Sequence, residues 1–117
     1  MTAEKLLSLR SLRREITRTK RRMADMARQI KDAQGDFALL GAISAERALL
    51  DSYLLRLKRE ESELVEFVNS IEDALLREIF MLRYFDGVKT WQRIAFLTGE
   101  HDESYVRRKH NTYLKKN

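Results

Sequence analysis

Two apolar stripes constrain this chain more than any other feature. Leu9, Leu12, Ile16, Thr19, Met23, Met26 and Ile30 follow one another at alternating spacings of three and four residues. Leu50, Tyr53, Leu57, Glu60, Leu64, Phe67 and Ile71 do the same. An α-helix turns once in about 3.6 residues, so each set lines one narrow face. Neither face is stable in water until it is covered. The two stripes therefore predict an antiparallel, coiled-coil-like helical hairpin over residues 1–70, with its bend about 35–44. The first helix should run for roughly 28 residues, about 42 Å. Gly35-Asp36 breaks the pattern, and Ser44 is expected to cap the second helix. A bend centred near residue 40 faces Ile30 with Leu50, Met23 with Leu57, Ile16 with Leu64 and Leu9 with Ile71. Thr19 then meets Glu60 and Glu61, a polar layer that fixes register. The seam can serve within one chain, or between two chains in a homodimer opened at Gly35–Ser44.

Composition supports an all-α fold. The 117 residues include no proline and four glycines, so the main helix breakers are scarce. There is no cysteine, hence no disulfide framework and no thiolate metal site, as fits a reducing cytoplasm. Met1-Thr2-Ala3-Glu4-Lys5 leads into an amphipathic stretch, so neither a signal peptide nor a membrane span is expected. Net charge is +5, distributed unevenly. Residues 1–34 hold 10 Lys/Arg against 4 Asp/Glu, residues 35–86 hold 6 against 11, and residues 87–117 hold 7 against 3. The basic tail asks for an anionic partner, and nucleic acid is the usual one.

The tail carries the functional pattern. Asn69-Ser70 should break the second helix, with Ser70 as N-cap of a third that ends at Asp86-Gly87. Thr90 can cap a short helix from Trp91 to Leu97. Thr98-Gly99-Glu100-His101 makes a turn, and Asp102 caps a last helix to about Lys115. A helix-turn-helix needs a small residue in its first helix, a glycine at the turn and an apolar anchor in its second. Ala95, Gly99 and Val106 meet these needs. In projection, Val106, His110, Tyr113 and Leu114 share one side of the last helix. Ser104, Arg108, Asn111, Thr112 and Lys115 share the other, with Tyr105 at its edge. Arg can pair with guanine and Asn with adenine in the major groove, so Ser104, Tyr105, Arg108, Asn111 and Thr112 are the candidate base contacts. Lys89, Thr90, Gln92, Arg93, Arg107, Lys109 and Lys115 are the candidate phosphate contacts, and backbone N–H groups at Thr90–Gln92 could join them. His110 and Trp91 are read as packing residues. His101 and His110 have no acidic cluster at ligand spacing, so no metal site or other cofactor is expected. No nucleophile–base pair, phosphate-cradling glycine loop or coupled carboxylates can be made out, and no catalysis is expected.

At these residues the chain resembles a known family. Leu76-Arg77-Glu78-Ile79-Phe80-Met81-Leu82-Arg83-Tyr84-Phe85-Asp86-Gly87 is similar to the helix opening region four of bacterial sigma factors. Thr90-Trp91-Gln92-Arg93-Ile94-Ala95-Phe96-Leu97-Thr98-Gly99 resembles the first helix of its helix-turn-helix, and Val106-Arg107-Arg108-Lys109-His110 its recognition helix. Joined to an N-terminal helical hairpin, this is similar to the phage-encoded ArpU-type transcriptional regulators. The resemblance implies a sigma-region-four-like unit at 71–117. It also implies double-stranded DNA as ligand, a bacterial cytoplasm, and RNA polymerase as a second partner. The sequence departs from the pattern in a turn one residue longer, in acids at Glu100, Asp102 and Glu103, and in Lys109 where an apolar residue is common. These departures rank Arg108 and Asn111 above Ser104.

Two rival functions stay open on the sequence. One is a protein-interaction module for RNA polymerase or another phage protein. The other is a small terminase-type packaging protein, which would form a ring. The basic run Arg10, Arg13, Arg14, Arg18, Lys20, Arg21, Arg22 is expected to pair across the hairpin with Glu60, Glu61, Glu63 and Glu66, leaving Arg10, Arg21 and Arg22 the freest.

Overall fold

The structure is a computed structural model that describes residues 1–117, and it is all-α. Six α-helices follow in order: α1 (Ala3–Leu7), α2 (Leu9–Asp32), α3 (Phe37–Asn69), α4 (Ala74–Phe80), α5 (Trp91–Leu97) and α6 (Glu103–Lys116). A π-helical turn, Met81–Phe85, continues α4. No helix is long and apolar enough to cross a membrane. The chain forms two compact units, residues 11–61 and residues 1–10 with 62–117.

In the unit of residues 11–61, α2 and the first part of α3 form the expected antiparallel hairpin. Met26, Ala33 and Ile43 make a buried cluster, with Ile30, Leu40 and Leu50 packed on it. The seam is thus satisfied within one chain. The bend is shorter and earlier than expected. Gly35 adopts φ +93°, and the Asp36 carboxylate accepts the Leu39 N–H at 3.1 Å, capping α3 immediately. Ser44 is therefore an exposed residue inside α3 and not a cap.

Moving the bend centre by one residue moves every cross-hairpin pair by two, so the register also differs. Arg22 pairs with Glu46 at 2.8 Å, Tyr53 bonds Glu15 at 3.3 Å, and Arg13 pairs with Glu61 at 3.3 Å. Met23 thus does not face Leu57, and Thr19 has no polar layer with Glu60. Buried Thr19 instead donates to the Glu15 carbonyl one turn back at 2.8 Å. Arg22, expected to be free, is held by Glu46. Arg18 and Arg28 bond Glu15 and Asp25 along α2 itself.

In the other unit, the expected boundary at residue 70 is an internal point. Leu6 and Leu9 of the first ten residues are fully buried, as are Val68 and Ile71. The Met1 ammonium donates to the Asn117 carbonyl at 3.0 Å. Thr2 caps α1 by accepting the Lys5 N–H at 3.2 Å, and Ser8 separates α1 from α2, so the first helix is two pieces. Ser70 is not an N-cap. Its hydroxyl donates back to the Phe67 carbonyl, and Asp73 caps α4 by accepting the Leu76 N–H at 3.0 Å. Buried Ile71 closes a turn with its N–H on the Val68 carbonyl at 3.2 Å, and the chain takes an extended conformation at Asp73, where α4 starts.

The π turn carries Tyr84 into the core, with Asp86 N–H donating to Met81 O at 3.1 Å. Gly87, at φ +72°, then reverses the chain. The Arg10 guanidinium lies over it and donates to the Phe85 carbonyl at 3.4 Å. Arg10 is thus engaged, contrary to expectation. Ile79, Ile94, Ala95 and Val106 form the core joining α4, α5 and α6, with Leu75, Leu82, Val88 and Trp91 against it.

Candidate nucleic-acid interface

The helix-turn-helix is built by caps and one glycine. Thr90 accepts the Arg93 N–H at 3.2 Å and starts α5. Gly99 takes φ +78° at the turn, as the spacing required, and Glu100 N–H closes it on Ala95 O at 2.8 Å. Asp102 starts α6 by accepting the Ser104 N–H at 2.9 Å. Ala95 is buried where α6 crosses, and Val106 is its fully buried counterpart.

The inner face of α6 is fixed by aromatic packing around His110, which is only 3% exposed. Its ring stacks on Phe80 with centroids 4.7 Å apart, and the tilted Trp91 ring also lies 4.7 Å away. Both ring nitrogens are bonded: Nε2 to the Tyr84 hydroxyl at 2.6 Å and Nδ1 to Asn111 Oδ1 at 2.9 Å. A neutral ring protonated on Nδ1 satisfies both contacts, donating to Asn111 and accepting from Tyr84. Burial, reinforced by the Arg83 charge, pushes the His110 pKa down, against the pull of the Asn111 bond. Burial pushes the Tyr84 hydroxyl up. Arg83 itself stacks over Trp91 at 4.1 Å and donates to the Lys89 carbonyl at 3.0 Å.

This packing leaves the opposite face of α6 in solvent. Arg107, Arg108, Asn111, Thr112 and Lys115 are all exposed, Arg108 to 72% of its side chain. Arg108 leans toward the start of the helix, with Nε on the Ser104 carbonyl at 3.2 Å and a terminal nitrogen 4.0 Å from Asp102. Ser104 is half-buried, its N–H and carbonyl both taken. Tyr105, Arg108, Thr112 and Lys116 line a shallow groove with Leu76. Lys116 lies outside the set expected from the sequence, although it repeats the Arg108–Thr112 spacing of four.

Asn111 is exposed, but its side-chain oxygen is committed to His110. Bidentate reading of adenine needs that oxygen as an acceptor, and the His110 bond takes one of its two lone pairs and fixes the direction in which the amide points. Lys109 differs from the expected phosphate set. Its ammonium pairs with Asp73 at 2.6 Å and its side chain is 25% exposed, so it ties α6 to the cap of α4. Each partner holds the other charged: Asp73 is pushed down by Lys109 and by the Leu76 N–H, and Lys109 is pushed up by Asp73.

Lys89, Thr90, Gln92 and Arg93 are exposed around α5. The Thr90 oxygen already accepts the cap bond, which leaves its hydroxyl hydrogen to donate. Arg93 lies 5.5 Å from the Phe96 ring. Six cations (Lys89, Arg93, Arg107, Arg108, Lys115 and Lys116) thus stand exposed on this stretch, with Glu100, Asp102 and Glu103 gathered at the turn. Comparison of the chain with protein families, with curated proteins and with solved structures gives no match.

Proposed function

We propose that this protein is a sequence-specific, double-stranded-DNA-binding transcriptional regulator that reads the major groove with α6. One observation carries the reading. A helix held by buried Val106 and His110 presents Arg107, Arg108, Thr112, Lys115 and Lys116 to solvent, directly after a glycine turn from a second short helix. Such a helix is narrow enough for the major groove, and its cations match phosphate and guanine. Arg108 is the first base reader. Arg107, Lys115, Lys116, Arg93 and Lys89 supply phosphate contacts. The sigma-region-four and ArpU-type resemblance supports a phage or prophage regulator acting in a bacterial cytoplasm.

Fluorescence anisotropy with random and genomic duplexes tests this. Binding should weaken steeply with salt, because counterions are released from phosphates. Arg108→Ala should cost on the order of 1–3 kcal/mol on the preferred site and relax its sequence preference. Lys115→Ala should weaken all duplexes alike and lower the salt slope by about 1. Absence of binding at low salt, or an affinity indifferent to all these changes, defeats the reading.

A second reading, a contact with RNA polymerase, rests on Phe96. It is 71% exposed beside a groove lined by Gln92, Ala95, Glu100, His101 and Glu103. Phe96→Ala should then abolish retention on core polymerase without changing DNA affinity.

A further inference from the structure

The outer face of α3 in the hairpin unit is uncharged over its whole first half. Ile43, Leu50 and Leu57 point inward. On the opposite side of the same helix lie Phe37, Gly41, Ala45, Ala48, Ser52 and Leu55, at spacings of three and four, all exposed. Phe37 is 87% and Leu55 52% exposed, and Leu49 on the flank is 73% exposed. A Cβ added at Gly41 would meet nothing within 4 Å. With 35% of the sequence charged, a contiguous face without one charge is a surface made to be covered.

We infer that this face is a homodimer interface, in which α3 packs antiparallel on α3 of a second copy about a two-fold axis at Ala48. In that arrangement the pattern is self-complementary. Counting outward from Ala48, large Leu55 falls opposite open Gly41 of the other copy, and Ala45 falls opposite Ser52. Ala48 meets its own counterpart, so the axes can approach to the lower end of the usual 8–10 Å. Along one edge Arg47 falls beside Asp51 of the other copy, and by symmetry this pair occurs twice. Phe37 falls near Arg59, where an aromatic face can meet a guanidinium. The exposed parts of Phe37, Leu49 and Leu55 remove on the order of 400 Å² of apolar surface per copy, taking ~200 Å² for a whole large side chain. With the small residues and backbone between them, the two copies together reach the ~1,200 Å² at which specific interfaces begin.

The test uses the full chain. Sedimentation should give twice the chain mass. The chain has no cysteine, so Ala48→Cys introduces a single thiol. Oxidation should cross-link it to the same position of the other copy, while Asp25→Cys on α2 stays uncross-linked. Ala48→Glu places two like charges face to face and should raise the dimer dissociation constant on the order of a hundredfold. Circular dichroism should be unchanged, because Ala48 is exposed in the monomer. Equimolar A48E and A48R chains should recover a heterodimer. A monomer throughout, or a dimer in which Ala48→Cys chains form no cross-link, overturns the inference.

Discussion

Removing one oxygen from the buried core of the helix-turn-helix should destabilise it measurably. In Tyr84→Phe the ring keeps its packing beside Phe80, 5.7 Å between centroids, and only the hydroxyl is lost. His110 Nε2 then has no partner in a site that is 3% exposed. The cost does not depend on the tautomer. If the proton moves to Nε2, a buried donor is orphaned in place of a buried acceptor, because Nδ1 is already paired with Asn111. An unsatisfied buried polar group costs about 1–3 kcal/mol. With a urea dependence of about 1–3 kcal/mol per molar, the unfolding midpoint should fall by roughly 1 M. Trp91 is the sole tryptophan and its ring lies 4.7 Å from His110, so its fluorescence reports this core directly. The same substitution in a His110→Leu background should cost under about 0.5 kcal/mol, since no polar group remains to be orphaned. If Tyr84→Phe costs the same in both backgrounds, the loss is packing, and the hydrogen-bonded role assigned to His110 is refuted.

The same pair predicts a stability profile with two shoulders. His110 is lowered by burial, so below pH ~6.5 the unfolded chain binds more protons than the folded one, and stability falls as pH falls from there. Tyr84 is raised by burial, so the unfolded chain loses that proton first and stability falls as pH rises past ~10. Urea midpoints across pH, with Tyr84→Phe as the control that reduces the alkaline shoulder to the part left by Tyr53, which is also raised, check both. Gly99→Ala should cost about 1–2 kcal/mol, the penalty of the left-handed conformation alone, because the added Cβ meets nothing. Gly87→Ala should cost about the same in thermal melts, since its left-handed φ is similar and the exposed Arg10 guanidinium that its Cβ would meet can swing aside. Lys109→Ala should cost under about 1 kcal/mol, because the partly exposed pair is screened by water. Asp73→Ala should cost about 1 kcal/mol more, because the α4 cap is lost as well.

The sequence was most legible where a single residue type has one use. Glycines at 87 and 99 mark left-handed positions because no other residue adopts them as cheaply, and Thr90 and Asp102 belong to the few residue types whose side chains cap a helix start. The α6 pattern likewise showed which side would be buried. It did not show that Lys109 would be drawn to Asp73, nor that Asn111 would be held by His110. Both partners are local in space but depend on how α4 and α6 cross. Lys116 was legible in principle, since it continues the spacing of four from Arg108 and Thr112.

The hairpin shows the division most clearly. Periodicity determined that residues 9–30 and 50–69 would be helices with one covered face, because burial of a stripe depends on its spacing; Ile71, the last of the second stripe, is buried but lies past the end of α3. Register is a different quantity, set by where the chain turns, and Gly35 with Asp36 turned it several residues before the expected centre. Within residues 11–61 the pairs shifted accordingly, so that Arg22 meets Glu46 and Glu15 meets Tyr53, while Ile16, Thr19, Met26 and Leu57 stayed on buried faces. Which side chains point inward was thus written in the chain, and which of them meet was decided only when the two helices closed on each other.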